Sequence, residues 1–244
     1  DLQSVVKQCV TFKNRGDLKS PTSNNLLRKM TIHQDPELVM TLQSVIEFIG
    51  TFAFALSGIR LAASKHYDWL GGFVCGVAVA IGGGTIRDVM LGLTPFWMSS
   101  PVYLLFTFLA QLVVIGCHHY LKRLDNTWFL FDTLGLALFN IAGIQKTLDC
   151  GFPFWVAIIM GCITGSFGGV IRDVLLNEEP VIFRKEIYAM ACVLGGLVYW
   201  AFSYLGLSLY ITVVASFLTV CIIRLLAVKY HISLPTLRDE EDKK

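Results

Sequence analysis

Two Arg-Asp pairs stand inside apolar sequence, Arg87-Asp88 and Arg172-Asp173. A charge near the centre of a bilayer costs at least ~2.5–3.5 kcal/mol on insertion scales, so four such charges must be paired or wet. Glycines precede each pair: Gly82, Gly83 and Gly84 before the first, Gly165, Gly168 and Gly169 before the second. Glycine in a helix interior costs about 1 kcal/mol relative to alanine, so a run of three invites a kink or an unwound turn. Carbonyls freed by such a turn are tolerated in a membrane where they line a water-filled cavity, and there they can replace a cation's hydration shell. Gly82, Gly83, Gly84, Gly168 and Gly169 are therefore candidate pore-lining or ion-binding positions. The glycines also read as a packing device. Gly72, Gly76, Ala80 and Gly84 recur every four residues, as do Ala157, Gly161, Gly165 and Gly169, and such ladders let helices approach closely. The two readings are compatible, one face packing while the other lines a cavity.

Glu47 and Asp132 fall near the starts of two apolar runs. They read either as carboxylates solvated at the membrane edge or as vestibule carboxylates that concentrate cations. His118 and His119, beside Lys122 and Arg123, read as headgroup-region residues rather than metal ligands. No metal, no cofactor and no enzymatic activity is expected. The chain has no G-x-S-x-G, no H-E-x-x-H and no Walker lysine after a glycine loop, and Arg87 stands where G-x-G-x-x-G needs its last glycine. The seven cysteines form no C-x-x-C and read as small buried hydrophobes.

These residues need membrane-spanning elements to hold them. Of 244 residues, 55% are apolar and 16% charged, and the mean hydropathy is +0.62. A soluble domain carries about 25% charge. The net charge of +2 points to no nucleic-acid partner. A spanning helix needs about 20 apolar residues, and seven runs qualify: 42–63, 69–92, 102–120, 128–146, 153–177, 187–205 and 207–229. Trp97, Trp128, Trp155 and Trp200 lie toward span ends and read as interface anchors. Residues 1–41 form a polar arm, read as either foreign to the protein or disordered. Met30 would serve as a natural start, and residues 230–244 read as a cytoplasmic tail.

The chain repeats itself at an offset of 85 residues. Gly83-Gly84-Thr85-Ile86-Arg87-Asp88-Val89 matches Gly168-Gly169-Val170-Ile171-Arg172-Asp173-Val174. The match extends to Gly50 and Gly135, Phe54 and Phe139, Gly58 and Gly143, Gly76 and Gly161, Pro95 and Pro180, and to the acidic Glu47 and Asp132. Each unit, 42–120 and 128–205, holds three spans. Three is odd, so the second copy must enter the bilayer inverted, and 207–229 stands outside the repeat. Inverted repeats place their working site near the midplane, where the halves meet. The pseudo-twofold suggests pairing Arg87 with Asp173 and Arg172 with Asp88, and an adjacent arginine disfavours a proton relay through the carboxylates. Nine Lys and Arg residues fall on the C-terminal side (Arg60, Lys65, Lys122, Arg123, Arg184, Lys185, Arg224, Lys229 and Arg238). Three fall on the other (Arg28, Lys29 and Lys146). That bias puts the C-terminus in the cytoplasm and the N-terminus outside.

The residues Phe48 to Gly58 (FIGTFAFALSG), Gly82 to Asp88 (GGGTIRD), Gly168 to Val174 (GGVIRDV) and Pro180 to Ala189 (PVIFRKEIYA) resemble the prokaryotic trimeric intracellular cation channel (TRIC) family. Its bacterial members also carry the name glycine transporter domain. The resemblance covers about 42–229. It implies an all-α membrane protein of the cell (inner) membrane, with a three-plus-three inverted repeat plus one helix. It implies a homotrimer in the lipid bilayer with a pore in each protomer for K⁺ or Na⁺, lined by kinked second and fifth helices. By position that lining falls on Gly82, Gly83, Gly84, Gly168 and Gly169, with Arg87, Asp88, Arg172 and Asp173 nearby. Phe167 stands where a third glycine of the second motif would lie. The alternative reading is a secondary transporter of a small amino acid such as glycine.

Overall fold

The computed structural model describes residues 36–117, 127–183 and 187–230. The described residues form seven α-helices: α1 Pro36–Ser64, α2 Trp69–Met90, α3 Val102–Gly116, α4 Thr127–Asp149, α5 Phe154–Leu175, α6 Ala189–Tyr204 and α7 Leu209–Lys229. Short 3₁₀ turns, Phe96–Met98 and Val181–Phe183, precede α3 and α6. Five helices are long and apolar enough to cross a membrane, while α3 and α6 are shorter apolar helices of 15 and 16 residues. At 1.5 Å per residue these two span only about 22–24 Å. The sequence predicts longer third and sixth spans, because it counts residues 118–120, which lie outside the described ones, and 187–188, which precede α6. His118, His119, Lys122 and Arg123, together with residues 1–35 and 231–244, also lie outside them.

The repeat is visible in the backbone. Among the described residues with positive φ, His66 (61°) matches Gly151 (86°), and Gly92 (69°) matches Asn177 (53°), each at the 85-residue offset. The turns after α1 and α4 close with equivalent bonds: Tyr67 N–H to Ala62 C=O and Phe152 N–H to Thr147 C=O. Those after α2 and α5 do the same, Leu93 N–H to Asp88 C=O and Glu178 N–H to Asp173 C=O, both 2.8 Å. The end of α1 meets the end of α5, where Tyr67 donates to the Leu175 carbonyl. The end of α2 meets the end of α4 through Leu91, Leu93 and Cys150. The two halves are therefore inverted relative to each other.

The pseudo-twofold axis passes through two helix crossings. At the first, between α1 and α4, Phe54 and Phe139 stack on each other, with centroids 5.3 Å apart and planes at 13°. Phe139 lies 3.1 Å from where a Cβ on Gly50 would be, and Phe54 fills the equivalent place at Gly135. At the second, between α2 and α5, Gly83 lies under the Thr164 carbonyl and Gly168 under the Val79 carbonyl. Thr164 and Val79 are themselves equivalent. The sequence pairs Gly50/Gly135 and Phe54/Phe139 are thus the two faces of one symmetric contact.

The outer helices cover this centre. Helix α3 lies on α1 through stacked Phe48 and Phe106, 5.3 Å apart. Helix α7 packs on α6, with Ser216 Oγ donating to the Gly195 carbonyl at 2.9 Å. Trp155 and Trp200 are exposed, as anchors should be. Trp97 and Trp128 are not: Trp97 donates to Thr85 Oγ1, and Trp128 lies under a buried arginine.

Candidate functional site

Both α2 and α5 are continuous α-helix through their glycines. This corrects the expected unwound turn. The cost of glycine is a weak prior that tertiary contact overrides, and here the missing side chains are used for contact. A Cβ on Gly83 would strike the Thr164 backbone, one on Gly168 would come 2.9 Å from Val79 O, and one on Gly84 would strike Phe96. Gly82 faces the Ile171 side chain, and Gly169 faces Tyr188 and Asp132. Each of the five thus has a packing neighbour where a side chain would stand.

The arginines sit at the last turns of α2 and α5, fully buried. Each ties first to its own neighbour. Arg87 Nε donates to Asp88 Oδ1 at 2.8 Å, and Arg172 Nε to Asp173 Oδ1 at 2.9 Å. The second carboxylate oxygen accepts the N–H that opens the following 3₁₀ turn, Phe96 for Asp88 (2.8 Å) and Val181 for Asp173 (2.9 Å). Each Arg-Asp pair thus fastens a helix end to the next connection. The expected cross-pairs, Arg87 with Asp173 and Arg172 with Asp88, are replaced by neighbour pairs. The physical reason is reach: a last-turn arginine can fold back onto the next residue while its remaining nitrogens extend to the preceding helix of its own repeat.

That helix supplies Glu47 and Asp132. Arg87 Nη2 lies 3.1 Å from Glu47 Oε1, and Arg172 Nη1 lies 2.6 Å from Asp132 Oδ1. Glu47 is 5% exposed and Asp132 is 0% exposed. They are buried counter-ions, which corrects their reading as solvated edge or vestibule carboxylates. A tyrosine completes each cluster: Tyr103 OH donates to Glu47 Oε2 at 3.0 Å and Tyr188 OH to Asp132 Oδ1 at 3.4 Å. Tyr103 and Tyr188 stand 85 residues apart, so the repeat offset carries them although the sequence reading did not single them out.

Two more cations join from outside the symmetry. Lys146 of α4 reaches Asp88 Oδ1 at 3.1 Å, linking the halves. Arg224 of α7 lies 3.9 Å from Asp132 Oδ2, between the rings of Phe129 and Tyr188. Both were counted from sequence as flanking charges; both are inside. Arg172 Nη1 also donates to Ser57 of α1 at 2.8 Å, a second link between halves. Each cluster is neutral: Arg87 and Lys146 against Glu47 and Asp88, Arg172 and Arg224 against Asp132 and Asp173. Neutrality is what makes such burial affordable, since an unpaired buried charge is strongly destabilising.

A family model described as Glycine transporter matches residues 44–119 and again 129–204. The chain belongs to this family. The two matches begin 85 residues apart, at the offset of the structural repeat. The inner membrane protein YadS of Escherichia coli strain K12 is 38% identical over 204 residues, 81% of this chain and 97% of that one. A membrane protein of Vibrio cholerae is 38% identical over 209 residues, covering 84% and 87%. Among solved structures, the TRIC trimeric intracellular cation channel orthologue from Rhodobacter sphaeroides has a TM-score of 0.74 at 32% identity, covering 79% of this chain and all of that one. A second TRIC cation channel has a TM-score of 0.71 at 34% identity, covering 81% and 98%. The glycine transporter family of this chain and the TRIC channels are thus one family, and this member is a non-enzymatic, all-α membrane protein with the three-plus-three-plus-one plan.

Proposed function

We propose that the protein is a homotrimeric channel for monovalent cations, K⁺ and Na⁺, with one pore in each protomer bounded by α2 and α5 at their glycine crossing. The observation that supports this most is similarity to TRIC cation channels over 79–81% of this chain and 98–100% of theirs, with TM-scores of 0.71–0.74 at 29–34% identity. The site agrees with it. The crossing lies on the pseudo-twofold axis, where inverted-repeat proteins work. The charge clusters on α2 and α5 are each neutral, so they hold the helices without fixing a net charge that would trap or repel an ion. Gly83 and Gly168 serve the pore by setting the separation of α2 and α5 rather than by offering freed carbonyls, while Gly82, Gly84 and Gly169 pack against Ile171, Phe96 and Tyr188 beside it.

Purified protein in a planar bilayer with KCl on both sides should give unitary current steps. A NaCl gradient should then give a cation-selective reversal potential. The family also bears the name of a glycine transporter, and electrically silent, saturable glycine uptake would select that reading instead.

The protein is further proposed to lie in the inner membrane with its C-terminus in the cytoplasm. The basic bias survives removal of Lys146 and Arg224, which are buried. An alkaline phosphatase fused after residue 244 should be inactive and a fluorescent reporter there bright. Strong phosphatase activity would reverse the orientation.

A further inference from the structure

The two ends of the inverted pair are built on one plan from opposite chemistries. Where α1 ends against α5, Lys65 pairs with Glu178, and Tyr67 OH donates to the Leu175 carbonyl at 3.4 Å. The equivalent positions at the other end, 85 residues away, are Cys150 for Lys65, Phe152 for Tyr67 and Leu93 for Glu178. These three belong to an apolar cluster with Leu91 and Met160. Every polar member of the first contact is replaced by an apolar one in the second.

The exposures follow the chemistry. The Lys65 and Glu178 side chains are 41% and 34% exposed, whereas Leu93 and Cys150 are 6% and 8% exposed. An exposed ion pair holds weakly and is screened by salt. A buried apolar contact is not screened.

Backbone strain follows the same division. Both ends need two left-handed residues. The apolar end uses glycine, Gly92 and Gly151, which adopt that region freely. The polar end uses His66 and Asn177, the two non-glycine residues with positive φ among those described. They flank the ion pair, His66 beside Lys65 and Asn177 beside Glu178. Strain of this kind persists only where surrounding contacts hold it, and it gathers at switch regions.

Resting on the channel reading above, we propose that the Lys65–Glu178 end is a releasable latch, the end of each protomer that moves in gating, and that the Leu93–Cys150–Phe152 end is a standing seal. Release of the ion pair frees two strained turns at once. The opposite end has neither a screened contact nor strain to release.

The test uses the full-length trimer in planar bilayers, with amide hydrogen exchange on the same preparations. Lys65→Glu and Glu178→Lys should each raise open probability roughly two- to fivefold, the range an exposed ion pair is worth. The double swap, Lys65→Glu with Glu178→Lys, should return it to the parent value. Salt raised on the latch face alone, from ~0.1 M to ~1 M, shortens the screening length from ~10 Å to ~3 Å and should raise open probability in the parent but not in the single reversals. Exchange should quicken at 64–68 and 175–179 in the single reversals and stay unchanged at 90–94 and 149–153. Reversals that leave both open probability and exchange at parent values overturn the latch, and so does quickening that is equal at the two ends. Single reversals that quicken exchange at the latch end alone, in a protein that never shows unitary currents, would sink the channel reading while upholding the ion pair as what holds that end.

Discussion

Asp132→Asn is expected to destabilise the protein by about 3–5 kcal/mol, the cost of removing one partner from a buried ion pair. Asp132 is fully buried, takes Arg172 at 2.6 Å and faces Arg224 at 3.9 Å. Its loss leaves Arg172 bonded to Asp173 and takes a facing carboxylate from Arg224, with Tyr188 no substitute because a hydroxyl carries no charge. The change keeps size and shape, so packing is not what fails. Reversible unfolding in detergent measures it, read against Glu47→Gln. The latter should cost less, because Glu47 faces one arginine while Asp88 still receives both Arg87 and Lys146.

A double-mutant cycle then assigns the partners. Arg172 and Asp132 should couple strongly, and Arg172 and Asp88 hardly at all. Coupling of Arg172 to Asp88 that exceeds its coupling to Asp132 would restore the cross-paired arrangement and remove the one seen here. Asp132→Asn protein as stable as the parent would show that the cluster is not held by charge.

Much of this arrangement was legible in the sequence because duplication writes itself twice. The 85-residue offset carries Glu47 and Asp132 into equivalent roles, and it carries Phe54 and Phe139 into one stacked contact. The same offset holds Tyr103 and Tyr188, which a search for charges passes over. Partner choice was not legible. Symmetry alone allows Arg87 to meet either its neighbour or the carboxylate across the axis, and only the reach of a last-turn side chain decides. Lys146 and Arg224 were misplaced for a related reason: a cation near a span end reads as a flank, and nothing in one sequence says that a buried carboxylate waits for it. The glycine run misled differently. Its local preference is for a kink or an unwound turn, but Thr164 and Val79 carbonyls of the crossing helices occupy the space a side chain would need, and both helices stay α-helical through the glycines.

That contact makes Gly83→Ala the sharpest test of the crossing. An alanine Cβ at 83 would press on the Thr164 backbone, and one at 168 on Val79 O at 2.9 Å and Phe54 at 3.0 Å. A backbone obstacle cannot rotate aside, so α2 and α5 must part. Overpacking of this kind costs about 1–3 kcal/mol, against about 1 kcal/mol returned by alanine's better helix propensity. The net effect is destabilising and moves the two helices that are proposed to bound the pore. Gly82→Ala is the control on the adjacent residue. Its Cβ meets the flexible end of Ile171, which can turn away, so propensity should offset strain and stability should change by less than about 1 kcal/mol. Gly83→Ala and Gly168→Ala should therefore lower or abolish unitary current in protein that still elutes as a trimer, and Gly82→Ala should conduct like the parent. The bulkier Gly83→Leu should abolish current outright. If Gly83→Ala and Gly168→Ala both assemble and conduct as the parent does, ions do not pass where α2 and α5 cross.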